Sequence, residues 1–474
     1  MRALGNTCKL VATASALGML LAGCALGPSY KRPPVPAPAT GTFRNEPQTT
    51  ATNSFADRPW SEVFTDPTLQ ALIRTALTNN YDIRIAVTRV EQARELEVQA
   101  RSELFPQLGY AGALARAKNA AGGNAVFTGG TTANVFMAAG NASWNVDLWG
   151  RIRRLSESAR AQYLATDEAR RGVTISVISE VAQSWYQLLA LNEELQIAKS
   201  ASNSFGDSLR IFTERLQGGV ASRLETSSAE ALQASAAAAV PRLENQIVLQ
   251  ENQLSVLLGQ PPGPILRGDA SLTNLPATEV PAGLPSALLE RRPDIRAAEQ
   301  QLRAANAQIG VAIADFFPEL SLTALFGQVS PQLSAFTSGG ANAWSLAANA
   351  SGPIFQGGRR RSQYRQSKAA WEQSKLQYQY SVLNALQEVS DALVAREKLA
   401  EARVQQVRAV DAYHQAVDVA TQRYRNGQSS YFEVLQEQQQ LFPAENTLVE
   451  TELSQRLATI QLYQALGGGW MPEK

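Results

Sequence analysis

Few side chains in this sequence have the chemistry of a catalytic or metal-binding group. The chain of 474 residues contains one histidine, His414, and two cysteines, Cys8 and Cys24. A site made of histidine and cysteine ligands needs three or four that converge, so this chain cannot build one alone. No nucleophile elbow, phosphate-binding glycine loop or paired-carboxylate motif stands out. We therefore expect no catalytic residue, no metal site and no cofactor, and a protein that is not an enzyme.

The cysteine with a chemical role is the one that ends the motif Leu21-Ala22-Gly23-Cys24. The motif follows two cationic residues, Arg2 and Lys9, and an apolar stretch over 10–21 that is too short for a lasting membrane helix. This pattern resembles a bacterial lipoprotein signal over residues 1–23. In such signals the cysteine thiol is alkylated by diacylglycerol and becomes the new N-terminus. The alternative is an ordinary signal peptide that happens to end near a cysteine.

Residues 24–58 are predicted to be a lipid anchor followed by an extended tether. They contain six prolines, a composition that favours extended chain over helix. Ala25 rather than aspartate follows Cys24, and this sorting pattern favours the outer membrane. The net charge of +1 gives no general attraction to nucleic acid. No other stretch reads as a transmembrane helix.

An internal duplication organises the rest of the chain. Asp82-Ile83-Arg84 recurs as Asp294-Ile295-Arg296, and Phe105-Pro106 recurs as Phe317-Pro318, both at an offset of 212 residues. Later matches have an offset of 208 residues, and they pair Arg215, Gly219 and Glu225 with Arg423, Gly427 and Glu433. We predict two copies of one unit, with these boundaries: repeat 1 at 59–259, a proline-rich linker at 260–285, repeat 2 at 286–469 and a tail at 470–474.

Each repeat is predicted to begin with a helix that ends before a Phe-Pro pair, since the residue before proline disfavours helix. Two short strands around a glycine-rich loop follow, which suggests a hairpin with weak alternation, as in outer-membrane strands. The predicted helices are 68–104 and 286–316. The predicted strands are 107–117, 133–147, 319–328 and 343–355.

A very long helix then follows in each repeat. Residues 359–426 contain no proline and no glycine, and one helix of that length would extend roughly 100 Å. The equivalent span, 151–217, also lacks proline. No compact core accommodates helices of this length, so they belong to a coiled-coil-like assembly. The shorter returning helices are predicted at 222–258 and 430–466. We expect 222–258 to stack end to end with 286–316, and 430–466 with 68–104.

The turns that join the long and returning helices contain glycines suited to chain reversal. Ser222 and Ser430 are predicted N-caps, with Glu225 and Glu433 three residues on, as in a capping box.

The two repeats together contribute four predicted strands. Four strands in one chain cannot close a barrel, and open sheet edges are not tolerated in lipid. A membrane-spanning sheet would therefore require an oligomer.

The ordered motifs of the chain resemble the TolC-like outer-membrane factor family, in its lipoprotein (OprM/NodT-like) branch. The resemblance covers nearly the whole mature chain, and each motif alone is weak. It is carried by these segments: Trp60-x-x-x-Phe64-x-Asp66-Pro67, Asn80-x-Asp82-Ile83, Ser143-Trp144-x-x-Asp147-Leu148-Trp149-Gly150-Arg151, Arg292-Pro293-Asp294-Ile295, Phe317-Pro318, Gly352-Pro353-Ile354-Phe355-x-Gly357-Gly358, Arg423-Tyr424-x-x-Gly427 and Leu466-Gly467-Gly468-Gly469-Trp470.

The resemblance implies an α+β membrane protein: a long α-helical coiled-coil barrel and a transmembrane β-barrel formed by oligomerisation, 12-stranded in a homotrimer. It implies a passive efflux conduit anchored in outer-membrane lipid that extends into the periplasm. The expected partners are a periplasmic adaptor and an inner-membrane transporter of the resistance-nodulation-division (RND) type. A duct for type I protein secretion has the same fold and stays open as an alternative. A structural periplasmic coiled-coil lipoprotein is a less favoured third interpretation.

The resemblance also assigns functional residues, all near the two turns. The implied pore aperture consists of Leu224, Glu225, Ser228, Phe432, Glu433 and Gln436. Relatives have an acidic residue where this chain has Gln436. This difference puts in doubt the attraction of cations to the pore aperture. Arg215 and Arg423 are implied to form gate ion pairs. The implied adaptor-docking turns are Gly218, Gly219, Val220, Asn426, Gly427 and Gln428. Alternatively, the two glutamates serve only as helix-terminal carboxylates and the two arginines as solvated residues.

Two arginine groups follow the strands: Arg151, Arg153 and Arg154 in repeat 1, and Arg359, Arg360 and Arg361 in repeat 2. With a net charge of only +1 and a secretion signal, a nucleic-acid partner is not expected. The groups are predicted to lie just below the membrane, near lipid head groups or acidic side chains. An ordinary solvated helix start is the alternative.

Overall fold

The computed structural model describes residues 25–35, 58–118, 132–268, 270–272, 288–337 and 341–469. The predicted signal, Cys24, residues 36–57 of the predicted tether, residues 273–285 of the predicted linker, the loops over 119–131 and 338–340, and the tail at 470–474 lie outside them. The helices are α1 Trp60–Val63, α2 Pro67–Asn79, α3 Tyr81–Ser102, α4 Arg151–Gln217, α5 Arg223–Leu257, α6 Leu288–Arg291, α7 Pro293–Ala314, α8 Leu333–Thr337, α9 Arg359–Arg425 and α10 Tyr431–Ala465. The strands are β1 Gln107–Lys118, β2 Thr132–Val146, β3 Glu319–Ser330 and β4 Asn342–Ser351.

The long helices α4 and α9 form as predicted, and α9 ends one residue earlier than expected. The returning helices α5 and α10 each differ from the predicted span by one residue at either end. Each continues through a proline, Pro241 or Pro443, although proline removes one backbone hydrogen bond from a helix interior. Tertiary packing along these helices therefore outweighs the local preference of proline.

The predicted single helices at 68–104 and 286–316 are each broken, at Asn80 and at Arg292. Asn80 Oδ1 accepts hydrogen bonds from the amides of Asp82 (2.8 Å) and Ile83 (3.1 Å) and so caps the start of α3. In the second repeat, Pro293 is the first residue of α7, where its missing N–H is not needed. The single-helix predictions were wrong because a new helix starts after each of these two residues, although the sequence pattern on both sides is helical.

Each break receives the end of a returning helix. Asn80 Nδ2 donates to the carbonyl oxygen of Leu257 at 2.8 Å, at the end of α5. Arg292 Nη1 donates to the carbonyl oxygen of Ala465 at 2.8 Å, at the end of α10. A returning helix therefore meets the broken segment of its own repeat, and the predicted pairing across repeats was wrong. The physical reason is that each break carries a side-chain donor, and this donor hydrogen-bonds a carbonyl oxygen at the end of the returning helix.

Glycines allow these close approaches. Gly259 has a φ of 67°, and a Cβ atom there would lie 2.5 Å from the carbonyl oxygen of Asn79. Gly467 has a φ of 78°, and a Cβ atom there would lie 3.3 Å from the carbonyl of Arg291. Both positions combine a left-handed backbone with little space, so glycine is required on two grounds.

The four strands form one antiparallel sheet in the order β1-β2-β3-β4. The two predicted hairpins, β1–β2 and β3–β4, are present, and β2 pairs with β3 to join the repeats, with Gly140 opposite Phe326. β4 ends at Ser351 rather than at 355, and the short helix α8 after β3 was not predicted. The outer edges of β1 and β4 have no strand partner in the described part of the chain.

Residues 25–35 were predicted to be part of a tether, yet they are docked. Asn306 Nδ2 donates to the carbonyl oxygen of Pro28 at 2.9 Å. Tyr30 Oη (3.1 Å) and Arg32 Nη2 (2.7 Å) donate to the carboxylate of Glu299 on α7. Burial alone raises the pKa of Glu299, but the hydrogen bonds from Arg32 and from Arg303 leave that pKa below its ordinary value. A charged, almost fully covered carboxylate thus fixes this segment.

The chain divides into two compact units. The first consists of Met1–Pro34, Arg89–Asp167 and Ala297–Tyr378, and its described part includes the sheet and most of the docked N-terminal segment. The second consists of Val35–Thr88, Glu168–Arg296 and Gln379–Lys474, and it includes both turns between long and returning helices. Each unit draws on both repeats. None of the helices in the described ranges is both long and apolar enough to cross a bilayer.

The two returning helices differ at their first residue, which yields a matched prediction. Ser222 Oγ accepts from the amide of Glu225, whereas Ser430 makes no side-chain capping bond. We expect Ser222→Ala to weaken the first turn of α5 by about 1 kcal/mol. Amide hydrogen exchange there should accelerate about fivefold. Ser430→Ala, the control, should leave exchange at the start of α10 unchanged. Equal effects at both sites would contradict this account.

Candidate functional site

The candidate site is formed by the two turns between the long and the returning helices. α4 ends with Val220 N donating to the carbonyl oxygen of Arg215 at 2.9 Å, and α9 ends with Gln428 N donating to that of Arg423 at 2.9 Å. Gly219 (φ 75°) and Gly427 (φ 72°) precede these donors. This is the Schellman arrangement, in which a left-handed glycine lets the chain satisfy the last carbonyls of a helix. The two turns therefore reverse the chain by one mechanism.

All six residues predicted for adaptor docking are exposed: Gly218, Gly219, Val220, Asn426, Gly427 and Gln428. Open space surrounds the two positive-φ glycines, so their requirement is conformational rather than steric. Val220 places an exposed apolar side chain at the first turn. Adaptor docking itself stays a prediction.

The predicted capping box forms at the first turn. Ser222 N donates to Glu225 Oε2 at 2.7 Å, and Glu225 N donates to Ser222 Oγ at 3.3 Å. The backbone hydrogen bond from Ser222 holds the pKa of Glu225 below its ordinary value. A depressed folded-state pKa stabilises the turn above the unfolded-state pKa, and this contribution is lost as pH falls through the folded-state value. Leu224 is exposed beside it, and Ser228 is partly exposed.

The second turn uses its glutamate differently. Glu433 Oε2 lies 3.1 Å from Arg423 Nη1, with side chains 43% and 51% exposed, so an ion pair joins α9 to α10. The capping box predicted at Ser430 is absent because the carboxylate of Glu433 points to this guanidinium instead of to the backbone amide. Phe432 and Gln436 lie close by in the sequence on α10, and Phe432 is exposed.

Arg215, the other predicted gate residue, lies over an aromatic ring. Its guanidinium carbon is 6.0 Å from the centroid of Tyr424, across from α4 to α9. Cation–π contacts at exposed sites contribute about 0.5–1 kcal/mol. The structure therefore brings both predicted arginines into contacts between helices, and it assigns them different partners.

A buried cluster next to the turns was not predicted from the sequence. Ser208 Oγ on α4 lies 2.9 Å from the hydroxyl oxygen of Tyr431 and donates to Gln438 Oε1 at 3.1 Å, both on α10. Gln438 Nε2 donates to Ser204 Oγ at 2.9 Å. We call Ser204, Ser208, Tyr431 and Gln438 the tip cluster. The cluster hydrogen-bonds the first helical hairpin to the second.

Aromatic rings surround the tip cluster. The ring centroid of Tyr431 lies 5.3 Å from that of Phe212 and 4.8 Å from that of Tyr424, both edge to face. Ser208 is 0% exposed and Tyr431 is 7% exposed. Breaking a buried hydrogen bond costs about 1–3 kcal/mol, whereas an exposed ion pair contributes about 0.2–1 kcal/mol. The tip cluster is therefore a stronger connection between hairpins than the Arg423–Glu433 pair is between α9 and α10.

The remaining chemistry-bearing residues do not assemble into a site. Across the described ranges, no group of three or more histidine, cysteine or acidic side chains could hold a metal ion. His414 Nε2 lies 3.2 Å from Glu445 Oε1, on the helices that form the second hairpin. Burial raises the pKa of Glu445 above its ordinary value. Cys24 lies outside the described residues.

The chain thus combines long helical hairpins that reverse at glycine turns with a four-stranded sheet whose outer edges are unpaired in the described ranges. Comparison with known sequences identifies the family of proteins with this architecture. The profile described as "Outer membrane efflux protein" matches residues 72–260 and 284–468. The chain belongs to the outer membrane efflux protein family.

Two relatives match this chain over almost the full length of both proteins. The chain is 33% identical over 473 residues to the cation efflux system protein CusC of Escherichia coli O6:H1, covering 98% of this chain and 99% of that protein. It is 34% identical over 464 residues to the probable efflux pump outer membrane protein TtgC of Pseudomonas putida, covering 98% and 96%. The open-state crystal structure of the Neisseria gonorrhoeae MtrE outer membrane channel superposes with a TM-score of 0.85 at 30% identity, covering 94% of this chain and 99% of that one.

These relatives confirm the predicted resemblance, the fold class of long helices with four strands per chain, and the role of an outer-membrane efflux channel component. They also confirm the outer membrane, with extension into the periplasm, as the location. The roles of individual turn residues stay predictions.

The tip cluster gives a prediction about which contact matters most. Tyr431→Phe keeps the aromatic contacts but leaves Ser208 without its hydroxyl partner. We expect it to weaken the contact between α4 and α10 by about 1–2 kcal/mol. The double-mutant cycle Arg423→Ala with Glu433→Ala should give a coupling below about 1 kcal/mol that shrinks in high salt. Amide hydrogen exchange in the second hairpin measures both the loss caused by Tyr431→Phe and the coupling energy of the ion pair. A larger coupling for the ion pair would reverse this ranking.

Proposed function

We propose that this chain is one subunit of the outer-membrane channel of a tripartite efflux system, a passive conduit that is gated where the helical hairpins turn. The proposal of a gate rests on the tip cluster, whose hydrogen bonds join α4 to α10 near the turns. Opening requires the second hairpin to move away from the first. These buried contacts would have to break, and no chemical step is involved.

The aperture is proposed to be lined by Leu224, Glu225, Ser228, Phe432, Glu433 and Gln436. Both glutamates have a structural partner, which is compatible with a carboxylate that also faces the pore. Gln436 is neutral, so one ring of carboxylates would be missing at its level. The Arg423–Glu433 ion pair would hold α9 and α10 in register, and Arg215 would contribute through Tyr424.

The assembly is proposed to be a homotrimer. The edges of β1 and β4 are unpaired in the described part of the chain, and a sheet in lipid must pair every edge. Three copies would close a 12-stranded barrel, with the strands β1 to β4 contributed by each chain. The proposed partners are a periplasmic adaptor that docks on the exposed turns and an RND-type transporter of the inner membrane. The matched relatives are efflux proteins, which favours this role over type I protein secretion.

Conductance of purified protein in planar lipid bilayers tests the gate. We expect the wild type to conduct rarely. Ser208→Ala combined with Tyr431→Phe should raise the open probability about tenfold or more, since the loss of about 1.4 kcal/mol from the closed state is a tenfold change. Arg423→Ala should raise it less. Arg210→Ala removes an exposed arginine of α4 whose pairs are within that helix, so it is the matched control.

The gating proposal fails if the double variant and Arg210→Ala conduct alike while both remain assembled. A channel that conducts freely in the wild type would also contradict a gate at the turns. Size-exclusion chromatography separates loss of assembly from loss of gating.

The proposed lipid anchor at Cys24 gives a separate prediction. Wild-type protein expressed in a Gram-negative host should incorporate labelled palmitate, and Cys24→Ser should not. The control is Cys8→Ser, which should keep the label because residue 8 lies in the predicted signal. Unlabelled wild-type protein, cleaved as an ordinary secreted chain, would support the alternative signal peptide.

A further inference from the structure

Three arginines start α9: Arg359, Arg360 and Arg361. A helix N-terminus carries partial positive charge, so cations in the first turn oppose the helix dipole. Ile354 and Phe355, just before them, are 103% and 88% exposed. Helix stability accounts for neither the charge nor the exposed apolar pair, so the reason for both must lie in what surrounds them.

The first arginine group is neutralised within the chain. Arg151 Nε lies 2.9 Å from Asp315 Oδ1, and Arg153 Nε lies 3.1 Å from Asp147 Oδ2. Arg154 pairs with Glu157 at 2.8 Å and also donates to backbone carbonyls of the N-terminal segment. Every cation of this group has an acidic partner.

The second group is only partly neutralised. Arg360 Nη1 lies 3.3 Å from Asp315 Oδ2, the second oxygen of a carboxylate that already serves Arg151. Arg359 and Arg361 are exposed, and within the described ranges no carboxylate pairs with either guanidinium. Two arginine side chains are thus available to an anionic ligand from outside the chain.

The position of the N-terminus indicates what lies beside them. A Cβ atom on Gly150 would lie 2.5 Å from the Cα of Ala25, and Leu26 N donates to the carbonyl oxygen of Trp149 at 3.1 Å. Ala25 directly follows Cys24, the lipid-attachment residue of the proposed function, on which this step rests. Acyl chains lie in the bilayer, so the start of α4 lies at its surface. Asp315 bonds both arginine groups, so the start of α9 lies at the same level.

We propose that Arg359 and Arg361 bind the phosphate of an anionic glycerophospholipid in the periplasm-facing leaflet of the outer membrane, with Ile354 and Phe355 in its acyl region. A guanidinium offers paired N–H donors that match phosphate oxygens. Exposed apolar side chains next to these cations match the boundary between head groups and acyl chains. Phosphatidylglycerol fits this site better than phosphatidylethanolamine because it has no amine to compete for its own phosphate.

The test uses full-length, detergent-purified protein in nanodiscs of phosphatidylglycerol and phosphatidylethanolamine. Native mass spectrometry after detergent release measures the ratio of the two lipids that stay bound. We expect the lipid bound to the wild type to be enriched in phosphatidylglycerol. The double variant Arg359→Gln with Arg361→Gln should lower this enrichment about tenfold. Arg359→Lys with Arg361→Lys should keep part of it. Arg242→Gln with Arg408→Gln removes the same charge from helix positions in the other compact unit and should keep all of it.

Unchanged enrichment in the glutamine variant overturns the proposal. Equal loss of both lipids also overturns it, because the arginines would then not distinguish an anionic head group from a zwitterionic one. Dissociation into monomers with unchanged lipid content would assign the arginines to contacts between subunits instead. If the glutamine variant fails to fold, salt gives a second measurement: it should lower phosphatidylglycerol retention by the wild type and spare phosphatidylethanolamine. Intact mass reports acylation separately, so failure of the lipid anchor and failure of this site can be told apart.

Discussion

The structure depends on one constraint: every helix end must satisfy the backbone groups that the helix leaves unpaired. Long helices can reverse direction only where a left-handed glycine returns an amide to the last carbonyls, as at Gly219 and Gly427. Short helices can meet end to end only where a side chain reaches across the break. Asn80 and Arg292 do this with different chemistry, an amide in one repeat and a guanidinium in the other. At these breaks the duplicated chain thus preserves a geometric requirement rather than a residue.

The two repeats differ in the partners of their equivalent turn residues. Equivalent glutamates close a capping box at the first turn and an ion pair at the second, because at the second turn the carboxylate reaches an arginine on the preceding helix. The carboxylate at the first turn therefore stabilises its own helix start, whereas the one at the second links two helices.

The elements that the sequence predicts well are those whose signals are local. An absence of proline predicts the long helices, and Gly-Gly or Asn-Gly predicts the turns. The contacts that Asn80 and Arg292 make at the breaks were missed because their side chains act on carbonyls 177 and 173 residues away. The tip cluster was missed for the same reason, since Ser208 and Tyr431 are 223 residues apart and each alone is an ordinary helix residue. Three of the predicted aperture residues, Phe432, Glu433 and Gln436, lie near Tyr431 in the sequence, although their roles depend on the family resemblance.

The docked N-terminal segment constrains the order of events during biogenesis. Its partners on α7 are 267 to 278 residues further along the chain, so they are synthesised long after it. The N-terminus leaves the ribosome first, and any lipid attached to it precedes the helix that receives the segment. Residues 25–35 must therefore wait without their final contacts until repeat 2 has been exported. The closure of Arg32 and Tyr30 onto Glu299 would then be a late step that marks a completely translocated chain.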